Sequence, residues 1–532
     1  MKKFFRVCAI FFLICLILSG CVEKKEAETK VSSKENYLVY DIGEIPEDLY
    51  SINTKNTKND EVLSMLFSGL VSEDYNTMEI KPALADTWTL SPDKLQYTFH
   101  IREGAKWSSG EDITAYDVYD FFKQILSSSN GKFYAYDLKS IYGIDNYISG
   151  KTPFEGVAIS VENDNVLKIR LNSPCSYFLK KLTQPIYYIR KMDNNLKNWS
   201  KNYNEIKYSG PYKISGISNN TALLEENSNF FSKETNSMKK FKLKYHYNEK
   251  EVSAYTTADF ENAKNIDVFS NPTLSEVPRL KAKGQIDMFK TWDTIAFYFN
   301  MNNSSIASDI NFRKAMTYLI DRNKILNSIS NDFAVSENTF VPAELFNAGK
   351  CEDIFRDYDM NLAFQSLDKS GYSFGKKVTL IYKENTLNRE LCENFVYEVN
   401  KTLQEQNRSK IDFDVKAYSG KALDNVISKG KYDIYLGDYN IWYNSAVSFF
   451  DMWDSRSPLN VNYKNNVYDD YIYSLHNVDS DSDNILKKME EQLANDLPVV
   501  PVALKKDIVC RRNSLTGLKE NRYGELMINF LR

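Results

Sequence analysis

His100, His246 and His476 are the only histidines in the 532-residue chain, and they sit in unrelated surroundings. No HExxH metal site is present, and a histidine-driven catalytic triad is not expected. Gly150-Lys151-Thr152 mimics the end of a phosphate-binding loop. There, however, Asp145 stands where the first glycine must let the backbone approach phosphate, and Pro153 follows directly. Ser428 and Lys431 have the SxxK spacing of a serine nucleophile with its lysine base, without the KTG segment that accompanies it. Of seven cysteines, Cys175, Cys351, Cys392 and Cys510 lie outside the first 21 residues, with no CxxC and no short spacing. Neither a zinc cluster nor a disulfide scaffold is indicated, and the pairing of these four is left open. These residues read as loop or core positions. The expectation is a protein that is not an enzyme and holds no metal or cofactor.

The elements that must position a binding site begin after an address label. Lys2, Lys3 and Arg6 precede an unbroken apolar run, Val7 to Leu18, which fits a secretory signal and is too short to span a bilayer. Leu18-Ser19-Gly20-Cys21 is similar to the lipobox of bacterial lipoproteins. That likeness implies cleavage of residues 1–20 and a diacylglyceryl group on the Cys21 thiol, two acyl chains where one would anchor only marginally. Losing three bases and no acid takes the formal charge from −4 to −7, against nucleic acid or anionic lipid as the main partner. Residues 21–36 are charged and apolar-poor and read as a flexible tether. The remainder, 37 to 532, is too long for one small core and should divide into domains.

Between Leu95 and Ile101 apolar and polar residues alternate as in a strand with one buried face. Arg102-Glu103-Gly104 breaks the pattern, and a second strand is expected to end at Trp107. Thr114 and Asp117 can cap a helix with Ala115, Val118, Phe122 and Ile125 inward. Leu38–Ile42 reads as a strand, and a helix from Asp60 buries Val62, Met65 and Leu66. Val157–Leu171 reads as two strands split at Glu162-Asn163-Asp164-Asn165. Gly210-Pro211 turns into a strand, and Ile295–Met301 is a buried strand before a helix capped at Ser308-Asp309, with Phe312, Ala315, Met316, Leu319 and Ile320 inward. Tyr432, Ile434 and Leu436 alternate along a strand ending at Asp438-Tyr439. Leu497–Val502 is a proline-bounded crossing segment.

Several of these stretches share their wording with one family. Ala83–Trp88, Tyr97–Gly110, Thr114–Val118, Gly210–Ile214, Tyr298–Leu326, Lys431–Tyr439 and Leu497–Val502 together resemble the extracytoplasmic solute-binding proteins, family 5, of the oligopeptide-binding lipoprotein type that serve ABC importers. The resemblance covers residues 37–532. It implies an α/β, two-lobed periplasmic-binding-protein-like clamshell with an extra third domain, its mixed sheets flanked by helices. Lobe I would be 37–64, 191–290 and 497–532, domain II 65–190, and lobe III 291–496. It further implies a monomeric, lipid-anchored receptor on the outer face of the bacterial cytoplasmic membrane, whose partners are an oligopeptide ligand and the importer's permease subunits. Other cargo for the same class would be a nickel chelate, haem, a sugar or a signalling peptide; an enzyme with a site that no motif marks and a structural surface lipoprotein are the rivals outside it.

By the same resemblance, the fixed charge of every peptide, its α-ammonium, meets an aspartate in a DYND-P-like segment. Here that segment reads Asp438-Tyr439-Asn440-Ile441-Trp442, so Asp438 is the implied anchor, with Tyr435, Tyr439, Asn440 and Trp442 as candidate neighbours. Ile441 and Trp442 depart from the acid and proline of the family pattern, and Tyr435 from its tryptophan. Tyr443, Phe449 and Phe450 read as core, and the base that meets a peptide's carboxylate carries no motif. Of these expectations, the anchor is tested most simply. Cys21→Ala should abolish labelling by a radioactive fatty acid and release the protein from membranes or leave it as uncut precursor; unchanged labelling would refute the lipid anchor.

Overall fold

The strand foreseen from Leu95–Ile101 forms as Gln96–Ile101, with Tyr97, Phe99 and Ile101 buried. It lies in an antiparallel sheet of four, in the order Ala85–Leu90, Gln96–Ile101, Val166–Arg170, Ile159–Asn163. These details come from a computed structural model that describes residues 37–50, 56–127, 131–232, 238–246, 256–263, 265–327, 329, 332–346, 357–477 and 482–532. The expected signal (1–20), the tether (21–36) with Cys21, and Cys351 lie outside the described residues. Cys175, Cys392 and Cys510 are buried free thiols.

Helix Ala115–Ser127 covers the small sheet with Ala115, Val118, Phe122 and Ile125 inward, joined by Phe121 and Leu126. Its start is capped as its sequence predicts, the Thr114 amide donating to Asp117 Oδ2 at 2.9 Å. The strand expected to end at Trp107 does not form. Trp107 instead closes a tight turn, its amide donating to Glu111 and its carbonyl accepting from Gly110, both at 2.8 Å. Four turn residues bring the chain back too soon for a ladder, and only the single bridge Lys106–Asp112 remains. A second difference lies in helix Thr57–Leu66, which starts three residues before Asp60 because Asn56 accepts from the amides of Lys58 and Asn59. Gly210 makes the following turn possible by close approach. A Cβ there would stand 2.4 Å from the Phe67 amide nitrogen.

An eleven-stranded mixed sheet organises the rest. Its order is Asp412–Tyr418, Lys377–Lys383, Ile434–Tyr439, Ile286–Phe299, Val499–Arg511, Val268–Ser270, Leu38–Gly43, Lys240–Tyr245, Thr221–Glu226 and Tyr212–Ser218, with Ala334–Ser336 beside Val499–Arg511. The expected strand at Ile295–Met301 is thus the end of a 14-residue strand beginning at Ile286. That strand and Val499–Arg511 pair antiparallel along almost their whole length, from Ile286↔Cys510 to Tyr298↔Val499, with a register shift between Lys290 and Thr294. Among the described residues they join the two sides of the sheet, Ile286–Phe299 pairing with Ile434–Tyr439, Val499–Arg511 with Val268–Ser270, and both with each other. Among flanking helices, Ile310–Tyr318 is capped by Asp309 and buries Phe312, Ala315 and Met316; Leu319 and Ile320 are buried just past its end.

Residues 131–190 are held to residues 447–477 by buried charge. Asp451 accepts from His476 Nε2 at 2.6 Å and lies 3.6 Å from Lys139 and 3.7 Å from Lys181. Burial would raise the Asp451 carboxyl, yet His476 and the two lysines hold it well below the usual range, while burial pushes His476 down to about 4. Such a cluster favours one docking geometry, because removing one partner leaves a buried charge unanswered. Among the described residues no helix is long and apolar enough to cross a membrane.

Candidate functional site

All five residues singled out near Asp438 line one cavity. It has a volume of about 550 Å³, and Asp438, Tyr435, Tyr439, Asn440 and Trp442 share its wall. Tyr435, Asp438 and Tyr439 get there on strand Ile434–Tyr439, an apolar-alternating run whose Ile434 and Leu436 are buried while Asp438 is exposed to the cavity, and Asn440 and Trp442 follow directly after its end. Asp438 stands opposite Ile295 on the neighbouring antiparallel strand. On the other side the parallel ladder with Lys377–Lys383 stops at Leu436. Gly437, Asp438 and Tyr439 therefore have a strand partner on one side only.

Gly437 shapes this end of the strand. A Cβ there would fall 2.5 Å from Tyr435 Oη, so only glycine lets the Tyr435 ring fold across the backbone toward the aspartate. Tyr435 stacks on Tyr298 with centroids 5.4 Å apart, and Tyr298 on Trp453 at 6.0 Å. Such offset aromatic ladders present a flat apolar wall with polar tips. Tyr298 also donates from its hydroxyl to the Asp438 carbonyl at 3.3 Å. Tyr439 contributes less to the cavity, being buried with its hydroxyl donated to the Phe340 carbonyl at 2.8 Å. Asn440 donates its Nδ2 to the Tyr523 carbonyl at 2.9 Å and leaves its buried Oδ1 without a donor. The Trp442 amide is pinned by Ser448 Oγ at 2.9 Å. Tyr443, Phe449 and Phe450 are core, at most 1% exposed.

Sequence reasoning missed the rest of the wall. Glu44, Lys58, Gln184, Asp293, Lys383 and Lys505 come from stretches scattered along the chain and carry no joint motif. Asp293 alone had a signal, as an acid inside the otherwise apolar TWDTIAFYF run. It sits at the register shift of the long strands, 3.4 Å from Lys505 Nζ, which also lies 3.3 Å from Asp507. One ammonium thus faces several carboxylates. Burial and then the charge of Asp438 push the Asp293 carboxyl up to about 8, against the pull of Lys505. Glu520 is pushed up to about 9 by burial and by Asp507. Asp507, resisted by burial but helped by Asp293 and Asp438, raises the Lys505 ammonium well above its ordinary value. The site is short of positive charge, and a cation entering beside Asp438 would relieve it. A second cavity of about 500 Å³ adjoins the first and shares Glu44, Lys58, Asn271, Lys383, Asp438 and Lys505 with it.

None of the enzyme-like spacings forms a site. Gly150-Lys151-Thr152 follows the short helix Ile144–Ile148 instead of opening one. Ser428 Oγ donates to the Asn425 carbonyl at 3.2 Å at the end of its own helix, and Lys431 is exposed. His100 is exposed, His246 pairs with Asp41 at 2.9 Å, and His476 belongs to the buried cluster.

Residues 79–460 match the sequence profile of the bacterial extracellular solute-binding proteins, family 5, middle region. The oligopeptide-binding protein OppA of Bacillus subtilis (strain 168) is 25% identical, over 99% of this chain and 98% of its own. Among solved structures, the periplasmic oligopeptide-binding protein OppAIV of Borrelia burgdorferi superposes with a TM-score of 0.81 at 21% identity, over 93% of this chain and 99% of that one. Haemophilus influenzae OppA in complex with the peptide RPPGFSPFR gives 0.78 at 19%, over 94% and 99%. At these identities the structural likeness speaks for the fold, and the α/β architecture of mixed sheets flanked by helices expected from the sequence is the one observed.

The raised Asp293 carboxyl has a consequence for stability. Between its ordinary value of 3.8 and about 8 the folded state binds a proton that the unfolded chain has lost, so this group's contribution is full at low pH and disappears as pH rises through about 8. The melting temperature of the unliganded protein minus that of Asp293→Asn should therefore fall from pH 5 to pH 9. A difference that rises over this interval would contradict the assignment.

Proposed function

Since the chain belongs to the bacterial extracellular solute-binding proteins of family 5, we propose that it captures oligopeptides in the cavity around Asp438 and delivers them to an ABC importer. Proteins of that family are binding receptors and not enzymes. The observation that carries the reading is the setting of Asp438: a carboxylate exposed in a cavity, at a strand end open on one side, among acids that outnumber their lysine partner. A peptide can add to such an edge by main-chain hydrogen bonds, which are blind to side chains, and waters can fill what its side chains leave. The one feature common to all peptides, the α-ammonium, then meets Asp438, with Asp293 behind it.

The proposal extends to the whole chain. Lobe I (37–64, 191–290, 497–532), domain II (65–190) and lobe III (291–496) close on cargo about the two long strands. In support, the register shift at Lys290 to Thr294 adjoins the expected boundary at 290/291, and the cavity takes wall residues from all three parts, among them Lys58, Gln184, Asp438 and Lys505. The receptor works as a monomer, tethered by residues 21–36 to diacylated Cys21 on the outer face of the cytoplasmic membrane.

Asp438→Asn keeps the shape and removes the charge. Removing one partner of a buried, hydrogen-bonded charge pair costs about 2 to 5 kcal/mol, a loss of roughly 30-fold to several thousand-fold in peptide affinity. N-acetylation of the peptide removes the same contact from the other side. Titration calorimetry of the double cycle should give a combined loss well below the sum of the two single losses. Full additivity, or native affinity for the acetylated peptide, would refute Asp438 as the anchor.

A further inference from the structure

A smaller pocket of about 190 Å³ opens off the main cavity, sharing Gln184, Pro185, Trp442, Tyr523 and Glu525 with it. Among the described residues its charged lining is all acid, Glu61, Glu73 and Glu525, with no lysine, arginine or histidine. Glu61 is already answered, by Lys58 at 2.8 Å, the Tyr40 hydroxyl at 2.6 Å and the Leu526 amide at 3.2 Å. Glu73 has Asn444 and the Lys180 ammonium near it, but only one of its oxygens is hydrogen-bonded in the geometry. Its Oε2 accepts from the Tyr523 hydroxyl at 2.7 Å, while its buried Oε1 accepts no hydrogen bond.

A second, independent feature points the same way. Gln184 is 4% exposed, and its Nε2 donates to the Lys181 carbonyl at 3.0 Å. That bond fixes which end of the amide is which, because only the nitrogen can donate to a carbonyl. The Oε1 is left buried without a donor. An amide oxygen in that position has lost its water and gained nothing, which proteins seldom tolerate without a use. Glu525 accepts from Asn521 at 3.0 Å through one oxygen only. Burial raises both carboxyls. Glu73 reaches about 7 although Tyr523, Lys180 and Asn444 pull it down, and Glu525 is driven further by Asp60, Glu61 and Glu73. The remaining wall, including Met65, Tyr188 and Trp442, is largely apolar.

We infer that this pocket receives a lysine or arginine side chain of the bound peptide, its aliphatic stem along Met65, Tyr188 and Trp442 and its cation among Glu73, Glu525 and Gln184 Oε1. Long basic side chains combine just these two surfaces, an apolar stem and a head that only donates. The inference rests on the peptide reading above. Four residues of chain separate Asp438 from Trp442 and span at most about 14 Å, so the pocket lies within reach of roughly the first four residues of an extended peptide anchored at Asp438. The receptor would then accept many sequences while favouring those with a basic residue at one early position.

The test uses the purified full chain and a set of alanine pentapeptides with free amino termini, carrying lysine, norleucine or glutamate at each position in turn. Norleucine matches the lysine stem and lacks the cation, so the affinity ratio of the two within one protein preparation isolates the charge and is insensitive to a misfolded fraction. At one of the first four positions lysine should bind at least about tenfold tighter than norleucine, as expected for charge-assisted hydrogen bonds, with glutamate weakest. In Glu73→Gln and in Glu525→Gln that ratio should fall toward one. A ratio near one at every position, a lysine preference equal at all positions as a diffuse field would give, or a ratio unchanged in both variants would overturn the inference while leaving the peptide reading intact. Failure of the whole set to bind, the all-alanine peptide included, would overturn that reading itself.

Discussion

Carboxylates gathered around too few ammonium groups are the constraint on which this structure turns. Lys505 sits within 3.4 Å of both Asp293 and Asp507 at the place where two long strands lose register. With Asp438 and Asp507 nearby, burial and the charge of neighbouring acids push the carboxyls of Asp293 and Glu520 up, to about 8 and about 9. Repulsion of this kind costs stability and is kept only where something restores the balance. Under the proposed peptide reading, a ligand ammonium would do so without side-chain specificity.

The fold enforces the crowding by topology. Asp293, Asp438 and Lys505 lie on three neighbouring strands of one sheet, so their separation is fixed by strand spacing and register and not by flexible loops. Gly437 lets Tyr435 close over the strand end, and the Tyr435, Tyr298, Trp453 ladder gives the cavity a rigid apolar side. On the far side, Gln184 and its neighbours are placed by the segment that the buried Asp451, His476 and Lys181 cluster holds against residues 447–477.

How much of this could be read beforehand follows from what is local. The Gln96–Ile101 strand, the Thr114–Asp117 cap and the strand to Asp438 depend on a few consecutive residues, and their patterns survive in the folded chain. The failed strand at Trp107 and the early start at Asn56 were lost to turn and cap chemistry one or two residues away from the periodic signal. Asp438 and its four neighbours were legible only because a family's wording marks them; the residue types alone describe a strand end. Asp293 and Lys505 could not be paired from the sequence, since a register shift and a sheet order join these positions more than 200 residues apart, and Gln184 and Glu525 reach the cavity from segments outside the sheet. The acid in the TWDTIAFYF run was the one trace of that long-range arrangement.

The central claim is that cargo is held by a free α-ammonium at a crowded anionic centre. It is tested most directly by mass spectrometry of the small molecules released when protein purified under native conditions is denatured. The account predicts a heterogeneous set of short peptides with unblocked amino termini. A single non-peptide solute, or peptides whose amino termini are blocked, would contradict it.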